Sequence, residues 1–368
     1  SIEAGFEAAF WDNRLYLDFT YYKTDSRNQI LKLATTAASG YTSQVRNAGH
    51  IRNRGYEIQL GAVPIQTSKG FRWNLDLNYG ANSSKVVKLD DEGLITSYRL
   101  YSSGIQILAS VGEAYGTLFG TSYVRDANGN VVVDANGLPK ISTTNKTLGK
   151  FTPDWTGGIS NTFSYRSLSL SFLIDASVGG SIFSNTNKTG KYTGVLANTL
   201  SGRDAEHGGL WYYTAAMGNN VRLPESPSYS VSSDGLYYAQ VNGQSTRVYQ
   251  DGIMVEGVTE SGSKNEEVVS AEKYYHRIYS IAEANVYDAS YVKLREVALS
   301  YRLPRLWTQK LHLQEASVTL TGRNLWTIYK SVPNIDPESA LTTGNAQGVE
   351  AYSLPTTRSF GVNLSVKF

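Results

Sequence analysis

Phe360-Gly361-Val362-Asn363-Leu364-Ser365-Val366-Lys367-Phe368, at the end of the chain, decides how the rest is read. Apolar side chains at 360, 362, 364, 366 and 368 alternate with Gly361, Asn363, Ser365 and Lys367. Successive side chains of a strand point to opposite faces, so this is a strand with one apolar and one polar surface. The same period recurs upstream in segments of about ten residues, the length a tilted barrel strand needs to cross a bilayer. Phe71, Trp73, Leu75, Leu77 and Tyr79 alternate with Arg72, Asn74, Asp76 and Asn78. Tyr56, Ile58 and Leu60 alternate with Glu57 and Gln59, and the pattern returns at Leu15, Leu17, Phe19 and Tyr21. It returns again at Trp155, Gly157, Ile159, Phe163 and Tyr165, and at Leu168, Leu170, Phe172, Ile174, Ala176 and Val178.

A soluble β-sandwich also alternates, so connection lengths supply a second criterion. The patterning predicts about eleven strands, near 2–11, 14–31, 52–63, 70–84, 97–110, 114–125, 154–166, 168–182, 289–303, 313–326 and 357–368. With the terminus in the periplasm, the periplasmic connections at 12–13, 63–69, 111–113, 167 and 304–312 are all short. The outer ones at 32–51, 126–153, 183–288 and 327–356 are long, and 85–96 is the shortest of that set. Short turns inside and long loops outside are the asymmetry of outer-membrane barrels. The expected fold is therefore an all-β, antiparallel up-and-down transmembrane barrel. Alternation is poor over 97–125, residues 272–281 read as a strand or as loop, and the apolar phase shifts between Leu294 and Val297, where a β-bulge would absorb it. An odd strand count leaves an unpaired edge in lipid, so the remaining strands are expected upstream of a truncated start at Ser1-Ile2-Glu3.

Composition agrees and removes several function classes. Tyr (26) outnumbers Phe (11), Gly reaches 34 and Pro is only 9, a profile of strands and turns. A Tyr ring with its polar tip suits the lipid–water boundary, where barrels carry aromatic girdles. The absence of Cys removes thiolate catalysis and Cys-based metal sites, and a net charge of +2 argues against a nucleic-acid partner. His50, His207, His276 and His312 are scattered without ligand spacing. No P-loop, nucleophile elbow or paired-carboxylate arrangement is present, so neither an enzyme nor a cofactor is expected.

Several stretches then occur in a telling order: Asn47-Ala48-Gly49 before Asn53-Arg54-Gly55-Tyr56-Glu57; Asp288-Ala289-Ser290-Tyr291-Val292-Lys293-Leu294-Arg295; Gly322-Arg323-Asn324-Leu325-Trp326; Asp336-Pro337-Glu338; and Leu354-Pro355-Thr356-Thr357-Arg358. In this order they resemble the motifs of the SusC/RagA-like family of TonB-dependent outer-membrane transporters. The terminal Phe368 likewise resembles the assembly signal of Gram-negative outer-membrane barrels, which would make it the true end of the protein. The resemblance implies that residues 1–368 are the C-terminal part of a larger barrel of about 22 strands. It further implies an N-terminal plug and a TonB-contacting segment upstream, and a SusD-like surface lipoprotein over the outer mouth. Oligosaccharides, or secondly peptides, are the cargo expected of such an importer; a passive porin or surface adhesin is the alternative.

Candidate contact residues fall in two places. The polar strand face with Arg72, Asn74 and Asp76 is the lumen candidate, opposite a lipid-facing apolar surface. The outer region 183–288 is rich in aromatics; Trp211, Tyr212, Tyr213, Tyr237, Tyr238, Tyr274 and Tyr275 would stack on sugar rings, meet a lid, or pack the loop on itself. The Arg203-Asp204-Ala205-Glu206-His207 cluster reads as solvated loop. Asp126-Ala127-Asn128-Gly129-Asn130 and Asp134-Ala135-Asn136-Gly137 lack the glycine of a calcium loop at Val131 and read as turns of a small hairpin above the barrel. The family motifs themselves read as scaffold.

Overall fold

The computed structural model describes residues 1–34, 38, 40–41, 43–90, 93, 95–224 and 226–368. A nine-stranded antiparallel sheet forms the wall, each strand pairing with the next wall strand in sequence. Its members are β1 (Ile2–Phe10), β2 (Leu15–Ala34), β3 (Ser43–Gln66), β4 (Phe71–Lys88), β5 (Trp155–Tyr165), β6 (Leu168–Val178), β7 (Tyr291–Arg302), β8 (Glu315–Lys330) and β9 (Ser359–Lys367). The connections after β1, β3, β5 and β7 are short. The first two are tied together by Arg14, whose Nη2 donates to the Val63 carbonyl at 3.0 Å. Among the described residues no helix is long and apolar enough to cross a membrane, which leaves crossing by strands untouched.

Register carries the two-faced pattern across the sheet. Leu17, Leu60, Leu77, Ile159, Ile174, Leu294 and Trp326 are consecutive cross-strand partners, one apolar row over seven strands. The next row, on the other face, is Glu7, Asp18, Gln59, Asn78, Gly158, Asp175, Lys293 and Thr327. The expected bulge is present: both neighbours of β7 change register around Arg295, which returns Val297 to the apolar face. On that face Trp73 and Phe163 stack with ring centroids 5.6 Å apart, while Tyr79 and Trp155 lie 5.7 Å apart toward the other end of the strands. Phe71 to Tyr79 is a rise of about 26 Å, or about 20 Å across a bilayer after a tilt of about 40°. Two aromatic zones thus flank a band whose middle on β4 is Leu75 and Leu77, the layout of a lipid-facing barrel surface.

Within this band, one polar side chain sits on the apolar face among the described residues. Asn161 is 9% exposed, and its Oδ1 accepts a hydrogen bond from the Trp73 indole at 3.0 Å. Trp73→Phe leaves that amide oxygen without a donor and is expected to cost about 1–3 kcal/mol. Urea unfolding of the full-length barrel in vesicles measures this, and adding Asn161→Leu is expected to restore most of the loss.

Two of the expected wall strands lie elsewhere. Residues 97–110 and 114–125 contribute Ser97–Ser103, Ile105–Ser110 and Tyr115–Gly120 to a separate four-stranded sheet with Lys146–Lys150, and β4 pairs directly with β5. Gly104, at φ 73°, breaks the first segment in two, and strands of six or seven residues fall short of the nine to eleven that a crossing takes. The turn at 111–113 is consequently an outer one: the Gly112 N–H donates to the carbonyl of Val86, near the outer end of β4. Residues 271–279 are a helix, not a strand. The connection between β2 and β3 is shorter than 32–51 because both strands run on as a projecting ribbon. The two Asp-Asn-Gly stretches are turns, as expected. Asp126 Oδ1 accepts from the Asn128 and Asn130 N–H groups, and Asp134 Oδ1 from those of Asn136 and Leu138.

The long outer connections condense into one cap. Ile105, Ile107 and Leu118 from the first excursion share a core with Phe183 and Ala282 from the second and Val349 from the third. Ser181–Ser184 pairs with Val286–Asp288 on one side and Val349–Glu350 on the other. The buried Glu350 carboxylate accepts the Ser184 and Thr186 hydroxyls, both at 2.6 Å.

Candidate functional site: the cap and the polar face beneath it

The strongest geometry lies where the cap meets the polar face of the wall. Lys293 on β7 has a side chain only 4% exposed, and its Nζ donates to Asp336 Oδ1 and Glu338 Oε2, both at 2.6 Å. Arg295 binds Asp175 Oδ2 on β6 through Nε at 2.8 Å and Nη2 at 2.7 Å, and also reaches Glu338. The Tyr291 hydroxyl donates to Glu338 Oε1 at 2.9 Å, and Thr356 donates to Asp336. Burial works to raise the Asp336 carboxyl, but the Lys293 ammonium and the Thr356 hydroxyl outweigh it and hold the group at about 2. Glu338 is likewise held low against burial by Arg295 and Lys293. Asp336-Pro337-Glu338 therefore clamps the last outer connection onto the inward face of β6 and β7. In sequence, Val292-Lys293-Leu294-Arg295 and Asp336-Pro337-Glu338 read as separate scaffold motifs. The available signal was charge complementarity between two cations on one strand and two anions two residues apart.

Arg72, Asn74 and Asp76, the lumen candidates, share the polar face of the sheet. Arg72 Nε donates to Asn74 Oδ1 at 2.8 Å. Asp76 lines a groove of about 330 Å³ with Tyr16, Gln59, Asn78 and Ser160. The loop aromatics are placed differently from one another. Trp211 (7% exposed) stacks on Tyr229 at 4.9 Å and meets Tyr237 edge-on at 5.5 Å, in a core shared with Ala239 and Val248. Tyr212 (5% exposed) stacks on Tyr249 at 5.2 Å and donates to Asp251 Oδ1 at 3.2 Å. Tyr213, Tyr237 and Tyr238 keep part of their surface exposed. Asp204 caps the turn at 205–207 and accepts from His207 Nδ1 at 2.7 Å, so that cluster is local structure.

A second concavity lies within the cap. About 760 Å³ opens between the 123–139 hairpin, the helices α1 (Asn185–Thr193) and α2 (Ala271–Tyr279), and the strand ending at Met254. Tyr123, Lys191, Met254, Tyr274 and Tyr275 line it. Burial pushes the Tyr123 and Tyr274 phenols up, so they remain hydrogen-bond donors at neutral pH. Burial lowers Lys191 to about 8; its Nζ donates to the Ala284 carbonyl at 2.7 Å and to Asn285 Oδ1 at 3.2 Å. Such a site offers donors to an oxygen-rich ligand. A lysine depressed below its unfolded value of 10.5 favours the unfolded chain as pH falls from 10.5 to 8, so cap stability is expected to rise between pH 8 and 10.5. Thermal unfolding of the cap followed by intrinsic fluorescence checks this, and Lys191→Met is expected to flatten that part of the profile.

No protein-family model matches the chain. Its sequence is 26% identical over 396 aligned residues to "TonB-dependent receptor P3" and 24% identical over 396 to "TonB-dependent receptor P26", both of Formosa agariphila. Each alignment takes in 100% of this chain and 34% of the relative, so the chain spans about a third of the length of the curated relatives it matches. In fold it is similar to the RagAB peptide transporter, with TM-score 0.61 at 20% identity, over 100% of this chain and 35% of that one. The RagAB peptide importer in its open-open state matches with TM-score 0.61 at 18% identity, over 100% and 34% of the two chains. Likeness to TonB-dependent receptors thus runs along the whole chain, and the fold is that of part of a larger β-barrel. These relatives are named as receptors and transporters, not as enzymes.

Proposed function

We propose that the chain is the C-terminal part of the wall and outer cap of a TonB-dependent importer in the Gram-negative outer membrane. In this reading it takes up oligosaccharides or peptides under a SusD-like surface lipoprotein. TonB acts through a segment outside these 368 residues, and membrane lipid covers the apolar face. The observation that carries the reading is the clamp of Lys293 and Arg295 on Asp336 and Glu338, which folds an outer connection inward over a polar wall face. A cap held inside the mouth narrows the passage and presents contacts to cargo, as a selective importer requires. Arg72, Asn74 and Asp76 would face cargo in the lumen. In the cap, Tyr213, Tyr237 and Tyr238 offer ring surface to cargo or lid, while Trp211 and Tyr212 hold the sheet that presents them.

Native mass spectrometry of the full-length protein, extracted mildly from outer membrane, tests this. A stoichiometric lipoprotein and a bound glycan or peptide mass are expected. A barrel that is reproducibly alone and empty would favour the passive porin or adhesin.

A further inference from the structure

The outer ends of β2, β3 and β4 carry an unusual surface. Register is unbroken from Leu15 to Arg27 on β2, so Lys23, Asp25 and Arg27 share the face of Leu17, Phe19 and Tyr21. Their cross-strand partners Arg54, Arg52 and His50 share it too, and Arg52 pairs with Lys85 on β4. This is the lipid-facing side, and the belt begins directly beyond the Tyr21–Tyr56 ring pair, whose centroids are 5.3 Å apart. A tilted strand needs about nine to eleven residues to cross. Counted from Leu15 on β2 and back from Ala62 on β3, that length ends near Lys23 and Arg54. Five cations, Lys23, Arg27, Arg52, Arg54 and Lys85, therefore stand at headgroup height. The outward face of these three strands holds one carboxylate, Asp25, already engaged by His50 Nε2 at 2.5 Å and Arg52 Nε at 2.8 Å. Lys23, Arg27, Arg54 and Lys85 have no ion-pair partner among the described residues. On β5 to β9 the same face carries no cation at any described position of the paired rows, and Asn161 is its one polar side chain there.

We infer that this belt binds a phosphate-bearing lipid headgroup of the outer leaflet. Cations facing lipid at the boundary meet headgroups before any soluble ligand. Long Lys and Arg stems cross the last apolar layer while their charges reach the phosphates. Arg also offers forked, two-point bonds to a phosphate. The test uses full-length protein in detergent, with monophosphorylated lipid A and its dephosphorylated counterpart as probes, read by native mass spectrometry. The phosphorylated lipid is expected to bind wild type, to bind Lys23→Gln/Arg54→Gln/Lys85→Gln about tenfold or more weakly, and to bind Lys23→Arg/Arg54→Lys/Lys85→Arg nearly as well as wild type. The dephosphorylated lipid is expected to bind all three weakly and equally, and millimolar inorganic phosphate to leave the lipid adduct in place. Heat-modifiable gel mobility reports whether each barrel is folded, and the single Gln variants replace any triple that is not. Equal binding of the phosphorylated lipid by wild type and the Gln variant overturns the inference. So does displacement by inorganic phosphate, which marks a free-ion site. Loss of a co-purifying acidic protein with unchanged lipid binding overturns it in favour of protein docking.

Discussion

Lys293→Met is expected to release the last outer connection from the wall. The substitution leaves Asp336, whose side chain is 8% exposed, beside a methionine, with no cation paired to it and only the neutral Thr356 hydroxyl and Glu338 N–H still donating. Removing one member of a buried pair strands the other charge, typically at about 3–5 kcal/mol. The clamp is local, so the loss should appear as opening of residues 331–358 rather than as unfolding of the barrel. Proteolysis within that connection is then expected to accelerate by about 100- to 5000-fold, since cleavage follows the open population. Adding Asp336→Leu removes the stranded carboxylate and is expected to recover much of the protection. Unchanged proteolysis in Lys293→Met would show that the shared apolar core of the cap suffices to hold the connection.

Leu75→Arg is expected to destabilise the barrel by about 2–4 kcal/mol, the cost of a charge on the lipid face near the bilayer midplane. Leu75 lies between the Trp73–Phe163 and Tyr79–Trp155 aromatic zones and pairs with Ala62 and Asn161 on the same face. An arginine there is too deep for its guanidinium to reach water easily. Asp76→Asn, one residue away on the opposite face, removes a charge from the polar groove and is expected to change stability far less. Equilibrium urea titration in vesicles compares the two, and equal effects would reverse the assignment of inside and outside.

The wall was legible because a two-sided environment imprints a period of two on every strand that separates lipid from water. The segments around Phe71–Tyr79 and 360–368 show it plainly, and the bulge at Arg295 was readable as a phase shift between Leu294 and Val297. The cap was not legible for the converse reason. Ile105, Ile107, Leu108 and Ala109 are all buried in a short strand covered on both faces, which erases the alternation. The helix α2 carries its start signal, with Ser270 accepting from the Lys273 N–H at 3.3 Å and Glu272 in the first turn. At nine residues, however, it is too short for its apolar period to stand out from the surrounding Tyr-rich strands. The clamp joins residues 43 apart in sequence at Lys293 and Asp336, and no local pattern encodes such a pairing. For the aromatics, composition fixed that ring surface was plentiful but not which rings are covered: Trp211 and Tyr213 are two residues apart on one strand, one inside the loop sheet's core and the other partly open.

The two-faced wall is best tested by a cysteine scan of β4, because these 368 residues contain no cysteine of their own. In an otherwise cysteine-free full-length protein in vesicles, single cysteines at 74 through 78 are labelled with an environment-sensitive fluorophore and challenged with brominated lipid or aqueous iodide. Lipid quenching is expected at 75 and 77, and iodide quenching at 74, 76 and 78. A uniform response along the five positions, or the opposite alternation, would contradict a wall with lipid on its apolar face and cargo on its polar one.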